Sequence, residues 1–205
     1  MKVSVIRKKA IIINNIKRFF YKNRFCFILL FLVFVIGLIT GIFVSFKKCD
    51  YLSSDILNKF IIFRFLSKDI GLVLFIIRKL FFVLLIGALC FLLSKFKISI
   101  ILFNILIFFL SYYLGLLVST LIVLYGFVGI INVLLAILPF ELLLYSALIF
   151  YIVLLCYHRC CFCSTGYQLN EILKKLFLFF LIAFFVILVE GIIIKLLTNS
   201  IIFVI

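Results

Sequence analysis

Acidic residues are scarce in this chain, six among 205, against 21 Lys and Arg. Charge of either sign is scarcer still between Ile98 and Tyr157, sixty consecutive residues in which Glu141 is the one formal charge. That excludes a water-soluble domain of ordinary design. A bilayer core of ~30 Å takes about 20 apolar residues per helix, so this run must cross more than once. The apolar–polar alternation of a membrane barrel strand is also lacking, which leaves helices as the way to satisfy the backbone in lipid. Catalytic patterns are missing: there is no H-E-x-x-H, no G-x-S-x-G, no P-loop and no pair of intramembrane aspartates. One histidine and two membrane glutamates make a poor catalytic inventory, so neither an enzyme nor a bound cofactor is expected. The sequence predicts an all-α, polytopic transmembrane helical bundle of about five spans, with no separate soluble domain.

What is abundant agrees. Hydrophobic residues make up 69% of the chain, and mean hydropathy is +1.54. The net charge of +15 is concentrated at the amino terminus, where Lys2, Arg7, Lys8, Lys9, Lys17, Arg18, Lys22 and Arg24 occur without an acid. Such a cluster fixes its end of the chain in the cytoplasm and meets anionic lipid headgroups. Without an aromatic stacking surface or a basic groove beside it, it does not read as a nucleic-acid site. Residues 1–24 are therefore expected as a cytoplasmic segment and 25–205 as the membrane domain. The first apolar run is long enough to span, and no small-x-small cleavage site follows it, which argues against a removable signal peptide.

The expected spans are 25–46, 74–93, 98–124, 130–156 and 176–194. Polar stretches at 47–70 and 157–175 separate them. In the first of these, Leu52, Ile56, Phe60 and Phe63 recur at helical spacing, which suggests a short interfacial amphipathic helix. Arg78 and Lys79 interrupt the second apolar run, and their long stems are expected to snorkel toward the headgroups. Lys95 and Lys97 mark a tight turn. The long uncharged run reverses near Gly126 and Gly129, helped by Asn132, and Pro139 is expected to kink the fourth span. With the amino terminus inside, five spans put the carboxyl terminus outside. The 47–70 stretch, with five basic residues, then lies externally against the charge rule.

Two glutamates sit within apolar runs, Glu141 and Glu190. Each costs several kcal/mol unless paired or hydrated, so each is either a proton or cation site or a structural group. The sequence shows no complementary intramembrane cation, and the structural reading is favoured: self-neutralisation, or a bond to a neighbouring helix or to backbone freed by Pro139. Gly37 and Gly41 form a G-x-x-x-G face suited to close helix approach. Cys156, His158, Cys160, Cys161 and Cys163 cluster in the second polar stretch. Cys160 and Cys163 have zinc-knuckle spacing with His158 nearby, but no second ligand pair is visible, so no metal is expected there.

The order of these features resembles the stage II sporulation protein M family over nearly the whole chain. It runs from the basic amino terminus into Asn23-Arg24-Phe25 and Gly37-x-x-x-Gly41. A polar loop, a hairpin of spans, Gly126-x-x-Gly129 and Ile137-Leu138-Pro139 come next, and Val189-Glu190-Gly191 ends the last span. Where the family carries a polar residue and often a second proline after Leu138-Pro139, this chain has Phe140-Glu141 and Ser146. The proline that often follows the terminal glutamate is missing. The resemblance implies a non-enzymatic scaffold in the cell membrane that anchors peptidoglycan-remodelling hydrolases, stage II sporulation proteins D and P, at the septum during engulfment. The contact surfaces it implies are the outer loop and the extracytoplasmic helix ends. Beyond those partners the chain meets the lipid bilayer, and a homo-oligomer is compatible with its sequence. A competing reading is a small transporter, or the membrane subunit of a multi-component permease, using Glu141 and Glu190. A third is a membrane thiol or metal protein built on the 156–163 cluster.

Overall fold

The computed structural model describes residues 2–47, 71–96, 98–161 and 168–200. Among them it is helical throughout apart from short turns, with no strand. Five α-helices follow in order: α1 Lys2–Lys47, α2 Leu72–Leu93, α3 Ser99–Asn132, α4 Leu138–Cys161 and α5 Gln168–Ser200. A five-residue π-helical segment, Val133–Ile137, joins α3 to α4. Each α-helix contains a stretch long and apolar enough to cross a bilayer: Phe19–Lys47, Leu72–Leu93, Ser99–Val123, Leu138–Tyr157 and Leu173–Leu196. Large apolar side chains point outward from every one, including Phe25, Phe31, Phe81, Phe109, Phe177 and Leu196. In water such a surface would be untenable; against lipid tails it costs nothing. The five helices fit a multi-pass membrane protein, and no separate soluble domain is evident among the described residues.

Because lipid is as apolar as leucine, burying leucines does not hold membrane helices together; close packing and polar contacts must. The seam between α1 and α3 shows how. Gly37 and Gly41 face Phe108, Ser111, Tyr112 and Gly115, while Gly115 in turn abuts the backbone of Leu38 and Ile42. A Cβ at Gly41 would run into the carbonyl oxygen of Tyr112, so the two backbones touch. One turn further along, the hydroxyls of Ser45 and Thr120 share a hydrogen bond of 3.2 Å. Rising numbers on one helix meet rising numbers on the other, so α1 and α3 run parallel. The G-x-x-x-G face of α1 thus has a complementary Ser111-x-x-x-Gly115-x-x-x-Ser119 face on α3. The hydroxyls of Ser111, Ser119 and Thr120 are satisfied by the carbonyls of Ile107, Gly115 and Leu116 within their own helix.

A second pair is antiparallel. Gly87 of α2 lies against Leu176, Phe179 and Phe180 of α5, and Gly191 of α5 against Leu72, Phe75 and Ile76 of α2. Helix α4 sits between the two pairs. It touches α5 through stacked Tyr151 and Phe179, with ring centroids 5.1 Å apart. It meets α1 through Phe34–Tyr145 at one level and Phe19–Phe150 at another. It meets α3 through the Tyr145 hydroxyl, which donates to the Leu110 carbonyl at 2.9 Å.

The reversal between α3 and α4 is made at Gly126, whose φ of 54° and ψ of −126° lie where only glycine is at ease. The chain folds straight back, bringing Gly129 against the carbonyl of Leu121. Beyond it the backbone is helical through to Cys161, and Pro139 lies inside that run; a five-residue π turn, Val133–Ile137, distorts the helix just ahead of the proline and accommodates its ring and missing N–H. The stretch long and apolar enough to span begins at Leu138, later than the expected 130. The 157–175 stretch is also largely helical, since α4 continues to Cys161 and α5 begins at Gln168. Residues 2–24 are helical as well, continuous in α1 with the first apolar stretch. The expected amphipathic helix at 47–70 lies outside the described residues beyond Lys47.

The parallel α1–α3 seam makes a direct prediction. Ser45→Cys with Thr120→Cys should cross-link on mild oxidation in native membranes, seen as a shift in non-reducing gel mobility. Adding Gly41→Leu, which overpacks the seam by about 1–3 kcal/mol, should abolish the cross-link. A cross-link unaffected by the leucine would contradict the backbone contact at Gly41.

Candidate functional site

In α2 the buried side chains are Phe75, Lys79, Val83, Gly87 and Cys90. Their three- and four-residue spacing defines one face of the helix, and a lysine lies on it. Arg78, one residue earlier, is rotated onto the exposed side. The expectation that both basic residues snorkel together is therefore corrected for Lys79. It turns inward, because its face of α2 is the one that meets α4 and α5.

What it meets there are the two intramembrane glutamates. The Lys79 Nζ donates to Glu190 Oε1 and Oε2, both at 2.6 Å, and to Glu141 Oε1 at 2.7 Å. The ammonium is thus held by the carboxylate of Glu190, which meets it with both oxygens, and by one oxygen of Glu141. Glu190 is completely buried, with 0% of its side chain exposed; Lys79 retains 8% and Glu141 13%. Phe75, one turn before Lys79, lays its ring beneath the Nζ at 5.7 Å from the centroid, adding a cation–π contact. The supposition that neither glutamate has a complementary cation within the membrane is thus overturned. Both have one, and it is the same one.

Three helices supply the triad, and their directions explain its depth. Lys79 lies seven residues after the start of the α2 span, Glu141 three after the start of the α4 span, and Glu190 six before the end of the α5 span. At 1.5 Å per residue these are depths of about 10, 5 and 9 Å from the same end of the bundle. That end is opposite the one where Lys22 of α1 lies over the Tyr157 ring of α4, 5.3 Å from its centroid. Tyr113 of α3 and Tyr145 of α4 stand within electrostatic range of Glu141.

The other expected residues are spread elsewhere. Gly37 and Gly41 form the α1–α3 seam, Gly126 and Gly129 the reversal, and Pro139 the start of α4, two residues ahead of Glu141. None of these touches the triad directly. His158 and Cys160 fall in the last turn of α4, where the backbone alone is described, and Cys163 lies outside the described residues. Among the described residues no group of three or more His, Cys, Asp or Glu could hold a metal. Instead, Cys156 pairs by hydrogen bond with Cys26 of α1, which ties that thiol to helix packing.

Lys79 is the member that sequence reading missed. The signal was present: Gly87 and Cys90, small residues at helical spacing from Lys79, mark the face that packs closely, and Arg78 does not share it. Comparison with protein families, curated proteins and solved structures gives no match.

Removing a buried ion's partner and removing the whole cluster have opposite consequences. Lys79→Met should destabilise the protein by about 3–5 kcal/mol, because it strands two carboxylates in an apolar site. The triple replacement of Lys79, Glu141 and Glu190 by Leu should recover most of that loss. Unfolding midpoints in mixed micelles, monitored by cysteine accessibility at Cys90, would measure both. A triple variant as unstable as the single one would show that the triad contributes more than charge compensation.

Proposed function

We propose that this chain is a non-enzymatic, multi-pass scaffold of the cell membrane, and that it anchors peptidoglycan-remodelling hydrolases at the septum during engulfment in sporulation. The observation that carries the scaffold reading is the closure of the Lys79–Glu141–Glu190 triad. The intramembrane charges bond one another and tie α2, α4 and α5 together at one level. Charges used in this way specify helix register and orientation, which a membrane anchor requires of its core. The small-residue α1–α3 seam serves the same end by fixing a second pair of helices.

The nature of the partners rests on the resemblance to the stage II sporulation protein M family, from which stage II sporulation proteins D and P are the expected companions. The basic amino terminus supports a cytoplasmic start, and five spans then carry the carboxyl terminus to the outside. On this reading the triad lies toward the outer leaflet, beneath the surface where such hydrolases would dock.

A second reading, a small transporter or permease subunit, is favoured by one specific feature. The triad has two carboxylates for one ammonium, and Glu141 keeps part of its surface open. Affinity capture of the full chain from native membranes in mild detergent, followed by mass spectrometry, separates the two. The scaffold predicts co-recovery of cell-wall hydrolases above a membrane control of equal abundance, and undiminished recovery with the triple leucine variant. Co-recovery of an ATPase or transport subunit without hydrolases, lost in that variant, would overturn it.

A further inference from the structure

The end of the bundle away from the triad is held differently. There α1 and α4 meet through rings and a cation. Phe19 lies edge-on to Tyr157 with centroids 5.3 Å apart, Phe27 lies 6.3 Å from Phe150, and the Lys22 Nζ sits 5.3 Å from the Tyr157 centroid. Two of the chain's seven cysteines stand among these contacts. Cys26 of α1 is one turn beyond Lys22 and adjoins Phe27, while Cys156 of α4 immediately precedes Tyr157. Both are half-buried and neither is in a disulfide, and a hydrogen bond joins the two thiols across the helices. Cys156 is one residue from the end of the Leu138–Tyr157 stretch, and Cys26 is seven residues into Phe19–Lys47. At 1.5 Å per residue, neither lies deeper than about 10 Å from that end. Cys90 is set apart from them, wholly buried on the face of α2 that meets α4 and α5.

We propose that Cys26 and Cys156 form a redox site, a dithiol shared between two helices that hydrogen peroxide converts to a disulfide and a thiol reductant restores. Peroxide is small and uncharged, so it reaches a half-buried sulfur near the membrane surface. The thiolate of one cysteine attacks a peroxide oxygen, and the O–O bond breaks. The departing hydroxide takes up the proton of that thiol as water, and the sulfur becomes a sulfenic acid. The second sulfur then attacks the first. An S–S bond forms, the S–O bond breaks, and the second thiol's proton leaves with the hydroxyl as another water. In all, the two sulfurs give up two electrons and the peroxide gains them. Because the two thiols already share a hydrogen bond, the resolving sulfur is in place when the sulfenic acid forms.

The bond would join the two halves of the bundle. Helix α1 is fixed to α3 by the glycine seam, and α4 to α2 and α5 by the triad. With the amino terminus in the cytoplasm, as proposed above, the pair lies at the cytoplasmic end. Thiols are kept reduced there, so the disulfide forms under peroxide and is undone by thiol exchange. The site uses no residue of the triad, and it holds or fails whether or not hydrolases are recovered.

The test uses the full chain in native membranes. After hydrogen peroxide, the remaining thiols are blocked with N-ethylmaleimide and peptides are mapped by mass spectrometry without reduction. The expected result is a linked peptide pair carrying Cys26 and Cys156. On a non-reducing gel the oxidised chain should migrate faster, because a loop containing α2 and α3 has been closed, and dithiothreitol should reverse both changes. A variant with Cys49, Cys160, Cys161 and Cys163 replaced by Ser keeps three thiols. Peroxide should lower its thiol count in denaturant from three to one, with Cys90 the survivor. Adding Cys26→Ser or Cys156→Ser should abolish the disulfide, and adding Cys90→Ser should leave it intact. A link from Cys156 to Cys160 or Cys163 in the unsubstituted chain, in place of Cys26, would overturn the proposal. So would a link to Cys90, a link between two copies of the chain, or survival of all three thiols. The peptide map of the unsubstituted chain decides the matter even if the four-serine variant fails to fold.

Discussion

A charge placed in hydrocarbon must find its complement inside the protein, because no solvent is there to provide one. Much of this bundle follows from that constraint. Lys79, Glu141 and Glu190 come from parts of the chain as far apart as 111 residues, yet they converge within 2.7 Å of a common nitrogen. Helices α2, α4 and α5 can satisfy these groups together only in one rotational setting and one vertical register. A rotation of α2 by half a turn would carry Lys79 to the outer face, away from the carboxylates, and leave two acids unpaired. The triad is therefore a device of specificity as much as of stability, since a well-packed apolar replacement could hold the helices as firmly.

The other half of the bundle is organised without charge. Helices α1 and α3 approach until their backbones touch, because Gly37, Gly41 and Gly115 leave nothing between them. In lipid, where apolar burial does not favour one apolar face over another, this density of contact supplies the association that water would otherwise drive. Helix α4 connects the two halves. At its start it carries Glu141 to the triad, and one turn later Tyr145 reaches α1 and α3. The glycine reversal at 126 and the π turn before Pro139 set where α4 begins, and so fix the height at which Glu141 enters.

The sequence by itself determined the class of fold and the set of five helices long and apolar enough to span a membrane, because hydropathy and length act locally. It also marked Gly37 and Gly41 as a close-contact face, and Gly126 as the reversal, since glycine at those positions relaxes a steric limit that no neighbour can change. The tertiary structure alone decided how the charges are used. Whether Lys79 or Arg78 turns inward depends on which face of α2 meets α4 and α5; Gly87 and Cys90 mark that face by their size, but hydropathy does not separate adjacent residues on a helix that is apolar almost all round. Nor could spacing along the chain announce that Glu141 and Glu190 share one partner, because a pairing across three helices exists only once those helices have been brought to the same depth.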